Sequence, residues 1–196
     1  MSTFPLSSSL TTPAIHTARL ILRPLAPSDL TSVYAIRSDP LTMKWTSTRK
    51  VASLSETEQW MTQFLPTANE PQRKNYNFGV VEKGKNEGKV IGLLGIVRID
   101  RYPEVGYMFH QNVWGRGYAT EALTGFLDAW WALPCSEKIG GEEAETESEG
   151  IWAIAAEENT GSSKVLKKCG FKFLKEEIEE DGVKVFIYIC RRPEKR

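Results

Sequence analysis

The run Trp114-Gly-Arg-Gly-Tyr-Ala-Thr-Glu-Ala122 constrains this chain more than any other stretch. It follows the strand-like segment Glu104-Val-Gly-Tyr-Met-Phe109 and opens a stretch from Tyr118 to Ala132 that contains no proline. A strand, a glycine-punctuated loop and an uninterrupted helix together make an anion site. Glycines let the backbone approach a ligand closely, and the unpaired N–H groups and dipole of a helix N-terminus attract negative charge. The spacing excludes two common phosphate sites. The glycines stand too close for a P-loop, and no Gly-Lys-Ser/Thr ending follows. A dinucleotide fingerprint needs a third glycine and a strand that begins a βαβ unit, and neither is present.

On either side of this loop the pattern alternates between strand and helix signals. Arg19 to Leu25 reads as a strand closed by Pro24 and Pro27, with Ser28-Asp29 as a cap for a helix over Leu30–Ile36 that Asp39-Pro40 ends. A second helix is expected over Ser55–Leu65. Strand-like runs at Tyr76–Glu82, Lys89–Ile99 and Glu104–Phe109, separated by good turn chemistry, read as an antiparallel meander. Ile151–Ala156 suits a buried strand, Asn159–Cys169 a short helix closed by Gly170, and Asp181-Gly182 marks a hairpin between Phe171–Ile178 and Val183–Cys190. Residues 134–150 are dense in Glu, Gly and Ser and read as an acidic mobile insertion, either a lid or docking loop or a plain surface loop. Residues 1–13 and 192–196 read as tails flanking a single domain over 14–191.

Charge and cysteine usage narrow the class. With 25 basic and 25 acidic residues the net charge is zero, so no global field draws the chain to nucleic acid or an anionic membrane. The apolar runs fall far short of a membrane span. Cys135, Cys169 and Cys190 form no close pair, and with two histidines, His16 and His110, no metal pattern emerges. A cytoplasmic protein without a metal is expected.

Three segments in order carry a resemblance: Thr17-Ala-Arg-Leu-Ile-Leu-Arg-Pro-Leu25, the Trp114–Ala122 loop, and Asn159-Thr-Gly-Ser162 continuing to Gly170-Phe171. Together they resemble the GNAT N-acetyltransferase superfamily, in particular its branch of RimJ/RimL-like ribosomal-protein N-terminal acetyltransferases. The resemblance implies an α/β (α+β) fold with a mixed, mostly antiparallel central sheet splayed open and flanked by helices. It implies an enzyme that moves acetyl from acetyl-CoA directly to a primary amine, on a protein N-terminus or a small molecule. The competing class is a non-catalytic acyl-CoA-binding regulatory module of the same fold. No nucleic-acid or membrane partner is implied, and the chain is expected to be a monomer or homodimer.

By the same resemblance the cofactor is held by Met108, Phe109 and His110 on the strand edge, by Trp114, Gly115, Arg116, Gly117, Tyr118, Ala119 and Thr120 in the loop and first helical turn, and by Asn159 and Ser162. Asn159 also suits a helix N-cap, and Arg116 a solvated surface position. Ser162, with a bound water as the alternative, is the candidate proton donor to the leaving thiolate, since Leu166 stands where many members of the family carry a tyrosine. Glu104 is the first choice of base, with an exposed strand glutamate as the alternative; Glu121 serves the helix dipole. Trp45 and Tyr34 are expected to line the acceptor pocket, and Trp60 to lie in the core beside Phe64.

Overall fold

The computed structural model describes residues 13–47, 50–65, 76–85, 88–99, 103–133 and 150–193. The expected N-terminal tail, Cys135 and the acidic insertion lie outside these residues, apart from Pro13 and Gly150. The chain runs β1 (Ile15–His16), β2 (Leu20–Arg23), α1 (Leu30–Arg37), α2 (Pro40–Met43), α3 (Leu54–Met61), β3 (Asn77–Glu82), β4 (Val90–Ile99) and β5 (Pro103–Phe109). It continues with α4 (Tyr118–Ala132), β6 (Gly150–Ala156), α5 (Thr160–Lys168), β7 (Lys172–Ile178) and β8 (Lys184–Arg191).

All eight strands form one sheet in the order β1-β2-β3-β4-β5-β6-β8-β7. Every neighbouring pair is antiparallel except β5 and β6, which run parallel and meet only at Glu104 opposite Trp152. Beyond that contact the two strands diverge towards their C-terminal ends. The sheet is therefore mixed, mostly antiparallel and splayed in the middle, as expected.

Helices cover both faces, and so the central strands read as nearly continuous apolar runs. Side chains alternate across the sheet. Val80 and Leu94 enter one core with Phe78, Leu123, Phe126 and Tyr188, whereas Val81 and Leu93 enter a second with Leu25, Val33, Ile36 and Met61. The first core seats α4 and the second seats α1 and α3. α4 brings Ala122, Leu123, Phe126 and Leu127 to the sheet at the i, i+4 and i, i+1 spacing of one helix face.

Three local readings change in the structure. Asp39-Pro40 does end α1, but it also starts α2. The Asp39 carboxylate accepts the Leu41 and Thr42 amides with Pro40 in the first helical turn, which is a start signal in its own right. Asp29 gives α1 no side-chain cap. Its carboxylate is instead gripped at 2.8 Å by both terminal nitrogens of Arg23 and accepts the Ala26 amide at 2.8 Å. Third, α3 ends at Met61 rather than Leu65, and Ser53 with Glu56 forms a capping box at its start. The Arg192 guanidinium donates to the Trp131 carbonyl at 2.7 Å, near the negative end of α4.

Candidate functional site

The divergence of β5 from β6 opens a cleft of about 880 Å³. One wall is the edge of β5, and the opposite wall is β6 with the first turn of α5. The Trp114–Thr120 loop and the start of α4 close one end, and the Trp45, Trp60 and Phe64 side chains line the other side.

The edge of β5 presents its backbone to this opening. The His110 amide donates to the Ile91 carbonyl on β4 at 3.1 Å. By the alternation of an antiparallel ladder, the Tyr107 and Phe109 amides point the other way, towards the divergence. The Phe109 carbonyl is already occupied on that side. It accepts the Trp114 indole N–H at 2.7 Å and the Thr42 hydroxyl at 3.1 Å. Trp114 therefore ties the start of the loop to the end of β5.

The loop then leads into a helix end with no internal cap. Gly115 and Gly117 have φ of 75° and 77°, a left-handed conformation that side-chain-bearing residues rarely adopt. Gly117 is the N-cap of α4 and offers no side chain to the first-turn amides, whereas α2, α3 and α5 are capped by Asp39, Ser53 and Asn159. The Tyr118, Ala119 and Thr120 amides of α4 thus lack the side-chain acceptor that those three helices carry.

What holds the loop in place comes from far away in sequence. Arg19 donates from Nη1 to the Arg116 carbonyl at 3.1 Å, pairs through Nε with Glu121 at 2.6 Å, and lies over the Tyr118 ring at 4.7 Å. Glu121 also accepts the Thr17 hydroxyl at 2.6 Å and the Arg19 amide at 2.7 Å. The Tyr118 hydroxyl donates to Glu82. Glu121 is therefore more than a dipole partner: it fastens the β1–β2 turn to α4. Burial pushes its carboxyl up, but the donors from Thr17 and Arg19 outweigh this and hold it below the ordinary 4.5.

A group whose folded pKa is depressed stabilises fully above its unfolded value and loses that contribution as the pH falls through the folded one. Glu121→Gln is accordingly expected to melt below wild type near neutral pH, with the gap closing as the pH drops under about 4. Melting curves at a series of pH values check this. A gap that stays constant to about pH 2 would contradict the linkage.

Of the anticipated site residues, Glu104, Met108, Phe109, Trp114, Gly115, Gly117, Tyr118, Ala119, Thr120, Asn159, Ser162 and Trp45 line the cleft. Tyr34, His110 and Arg116 do not. His110 turns its Nδ1 back to accept the Asn112 amide at 3.2 Å. Trp60, expected in the core, packs against Phe64 with centroids 4.5 Å apart and also faces the cleft. Glu104 is largely buried, its side chain 17 % exposed, and stands 3.7 Å from the Arg98 guanidinium. Asn159 caps α5 by accepting the Ser162 amide at 3.0 Å.

Two residues that matter here were missed from the sequence. In the sequence Arg19 belongs to a strand and to the first resembling segment, and no local signal ties it to a loop almost a hundred residues on. Tyr107 did leave a signal. It alternates with Val105 and Phe109 on an apolar face, and a tyrosine there needs a partner for its hydroxyl. Among the described residues no group of three or more His, Cys, Asp and Glu is placed to hold a metal, and no helix is long and apolar enough to cross a membrane.

The family model described as an acetyltransferase (GNAT) domain matches residues 19–172. An uncharacterized N-acetyltransferase, p20 of Bacillus licheniformis, is 27% identical over 161 residues, covering 81% of this chain and 82% of that protein. Among solved structures, a GNAT-family acetyltransferase from Bacillus anthracis superposes with a TM-score of 0.71 at 20% identity, over 92% of this chain and 99% of that one. RimL, a ribosomal L7/L12 alpha-N-protein acetyltransferase solved with coenzyme A, superposes with a TM-score of 0.68 at 14% identity, over 91% and 98%.

Proposed function

Since the chain belongs to the GNAT acetyltransferase family, we propose that it transfers acetyl from acetyl-CoA directly to a primary amine, on a protein N-terminus or a small molecule. The observation that carries this reading is the uncapped start of α4 facing the gap between β5 and β6. A doubly charged pyrophosphate suits that end of the helix, and an extended amide-bearing arm suits an unpaired strand edge. The residues therefore fit acetyl-CoA.

In this reading the amides from Gly115 to Thr120 hold the pyrophosphate, and Arg19 and Trp114 keep those amides aimed. The outward amide of Phe109, beside the loop, bonds the pantetheine arm as an added strand would, with Asn159 and Ser162 opposite. Acetyl-CoA, when bound, supplies an electrophilic thioester carbonyl and a thiolate leaving group. The Tyr107 amide, farther from the loop along β5, polarises that carbonyl as a donor fixed in advance. Glu104 takes the proton that the amine must lose, directly or through water. Trp45, Trp60 and Phe64 form an aromatic wall for the group that carries the amine, which favours an acceptor with an apolar body. No cysteine nucleophile is required. Burial pushes the Cys169 thiol up, and it accordingly stays protonated and inert.

Glu104→Gln tests the assignment. The rate of coenzyme A release in the presence of acceptor is expected to fall by about 100-fold or more, with acetyl-CoA affinity preserved. A variant that turns over at the wild-type rate would remove Glu104 from the chemistry.

A further inference from the structure

Tyr107 shares one face of β5 with buried Val105 and Phe109, packed against the core under α4 and α5. Its hydroxyl finds a partner across the divergence. The phenol oxygen lies 2.7 Å from Ser162 Oγ on the first turn of α5, and 3.3 Å from the Ser162 carbonyl. Both residues line the cleft. The next serine is engaged elsewhere, because Ser163 Oγ accepts the Tyr188 hydroxyl at 3.0 Å. Leu166, one turn further along α5, is buried in the core and brings no polar group.

Two hydroxyls 2.7 Å apart share one hydrogen bond. The phenol is the more acidic and hence the better donor, and when it donates, the Ser162 proton is left free to point elsewhere. We propose that Tyr107 is a positioning residue for thiol departure: its phenol donates to Ser162 Oγ and so turns the Ser162 hydroxyl proton towards the sulfur of bound coenzyme A. This inference rests on the proposed function.

Burial raises the phenol above its ordinary pKa, which keeps it protonated, and therefore a constant donor, over the working pH range. A thiol ionises at about 8.5, so its thiolate is too weak a base to strip a proton from either hydroxyl. The pair accordingly stabilises the developing charge on sulfur by hydrogen bonding and keeps its own protons. The balance is complete without them: an N–C bond forms, the C–S bond breaks, and the proton leaving nitrogen matches the one that sulfur or solvent gains.

Tyr107→Phe removes the hydroxyl and keeps the ring, which packs 6.5 Å from that of Phe109. The test binds coenzyme A to wild type, Tyr107→Phe, Ser162→Ala and the double variant, and titrates the bound thiol by the ultraviolet absorbance of its thiolate. The bound thiol's pKa is expected to rise by about one unit in Tyr107→Phe, at least as far in Ser162→Ala, and no further in the double variant. With an acceptor that turns over, kcat should fall about tenfold in Tyr107→Phe while the KM for acetyl-CoA stays unchanged. An unshifted thiol in Tyr107→Phe, or additive shifts in the double variant, would overturn the proposal. A wild type that acetylates no acceptor yet shows the thiol shifts would remove the proposed function and, with it, thiol departure, leaving only the Tyr107–Ser162 contact with bound sulfur. If coenzyme A does not bind at all, both fall.

Discussion

Replacing Gly117 by Val is expected to weaken acetyl-CoA binding by about 100-fold or more, because position 117 both shapes the loop and ends it. The residue sits at φ 77°, where a β-branched side chain is strained whatever space surrounds it. An added Cβ would meet the Arg19 guanidinium only at an ordinary contact distance of 3.5 Å, so the cost lies in the backbone. Relaxing the strain means rotating the peptide, and a rotated peptide no longer aims its N–H at the anion. Folding should suffer less, by about 1–2 kcal/mol, the cost of forcing one ordinary residue into the left-handed region. Asn tolerates that region better than Ala, and Ala better than Val, so affinity should follow the order Gly, Asn, Ala, Val. Titration calorimetry of acetyl-CoA into the four proteins reads this directly. Equal affinity for Gly117→Val would mean that the loop does not hold the pyrophosphate.

The largest loss of stability is expected at Phe126. Its ring is fully buried, stacked on Trp130 at 6.2 Å and set edge-on to Tyr76 at 5.2 Å and Phe78 at 6.1 Å. These contacts join α4 to β3, and α4 is the helix whose first turn faces the cleft. Phe126→Ala removes the ring from a packed interior that relaxes only partly around the cavity, which should cost about 3–5 kcal/mol. Denaturant unfolding monitored by circular dichroism checks the value. A loss under about 1 kcal/mol would show that the α4 interface collapses around the gap or is looser than the packing indicates.

Most of the architecture was legible because its signals are local. The meander was visible in three apolar runs separated by turn residues, and the hairpin in Asp181-Gly182, where Gly182 has φ 83°. The start of α4 could be placed because two glycines precede an uninterrupted helical stretch. The misread places had two meanings for one residue type. Asp39-Pro40 signals a stop and a start equally well. Asp29 suits an N-cap, yet the fold gives it a bidentate arginine, an ion pair with better geometry than a cap bond.

The site divided along a similar line. Residues in the loop, Arg116 excepted, and at the head of α5 belong to contiguous motifs, and they line the cleft together. Arg19, Thr42 and Tyr107 act through contacts with elements distant in sequence, which only the sheet order β1-β2-β3-β4-β5-β6-β8-β7 brings within reach. His110 and Tyr34 failed to reach the cleft for a simpler reason: neighbouring in sequence or aromatic in character is not the same as facing the divergence.

Direct transfer to nitrogen is the central claim, and product analysis tests it most closely. The protein is incubated with acetyl-CoA and a panel of amines and N-terminal peptides, including members with an apolar first side chain, and acceptors and protein are both analysed by mass spectrometry. The expected result is one acetyl group on the amine of at least one acceptor class, with the protein itself unmodified and the product absent in Gly117→Val. Acetyl accumulating on a cysteine of the protein, or acetyl-CoA binding with no acetylated amine across the panel, would contradict it.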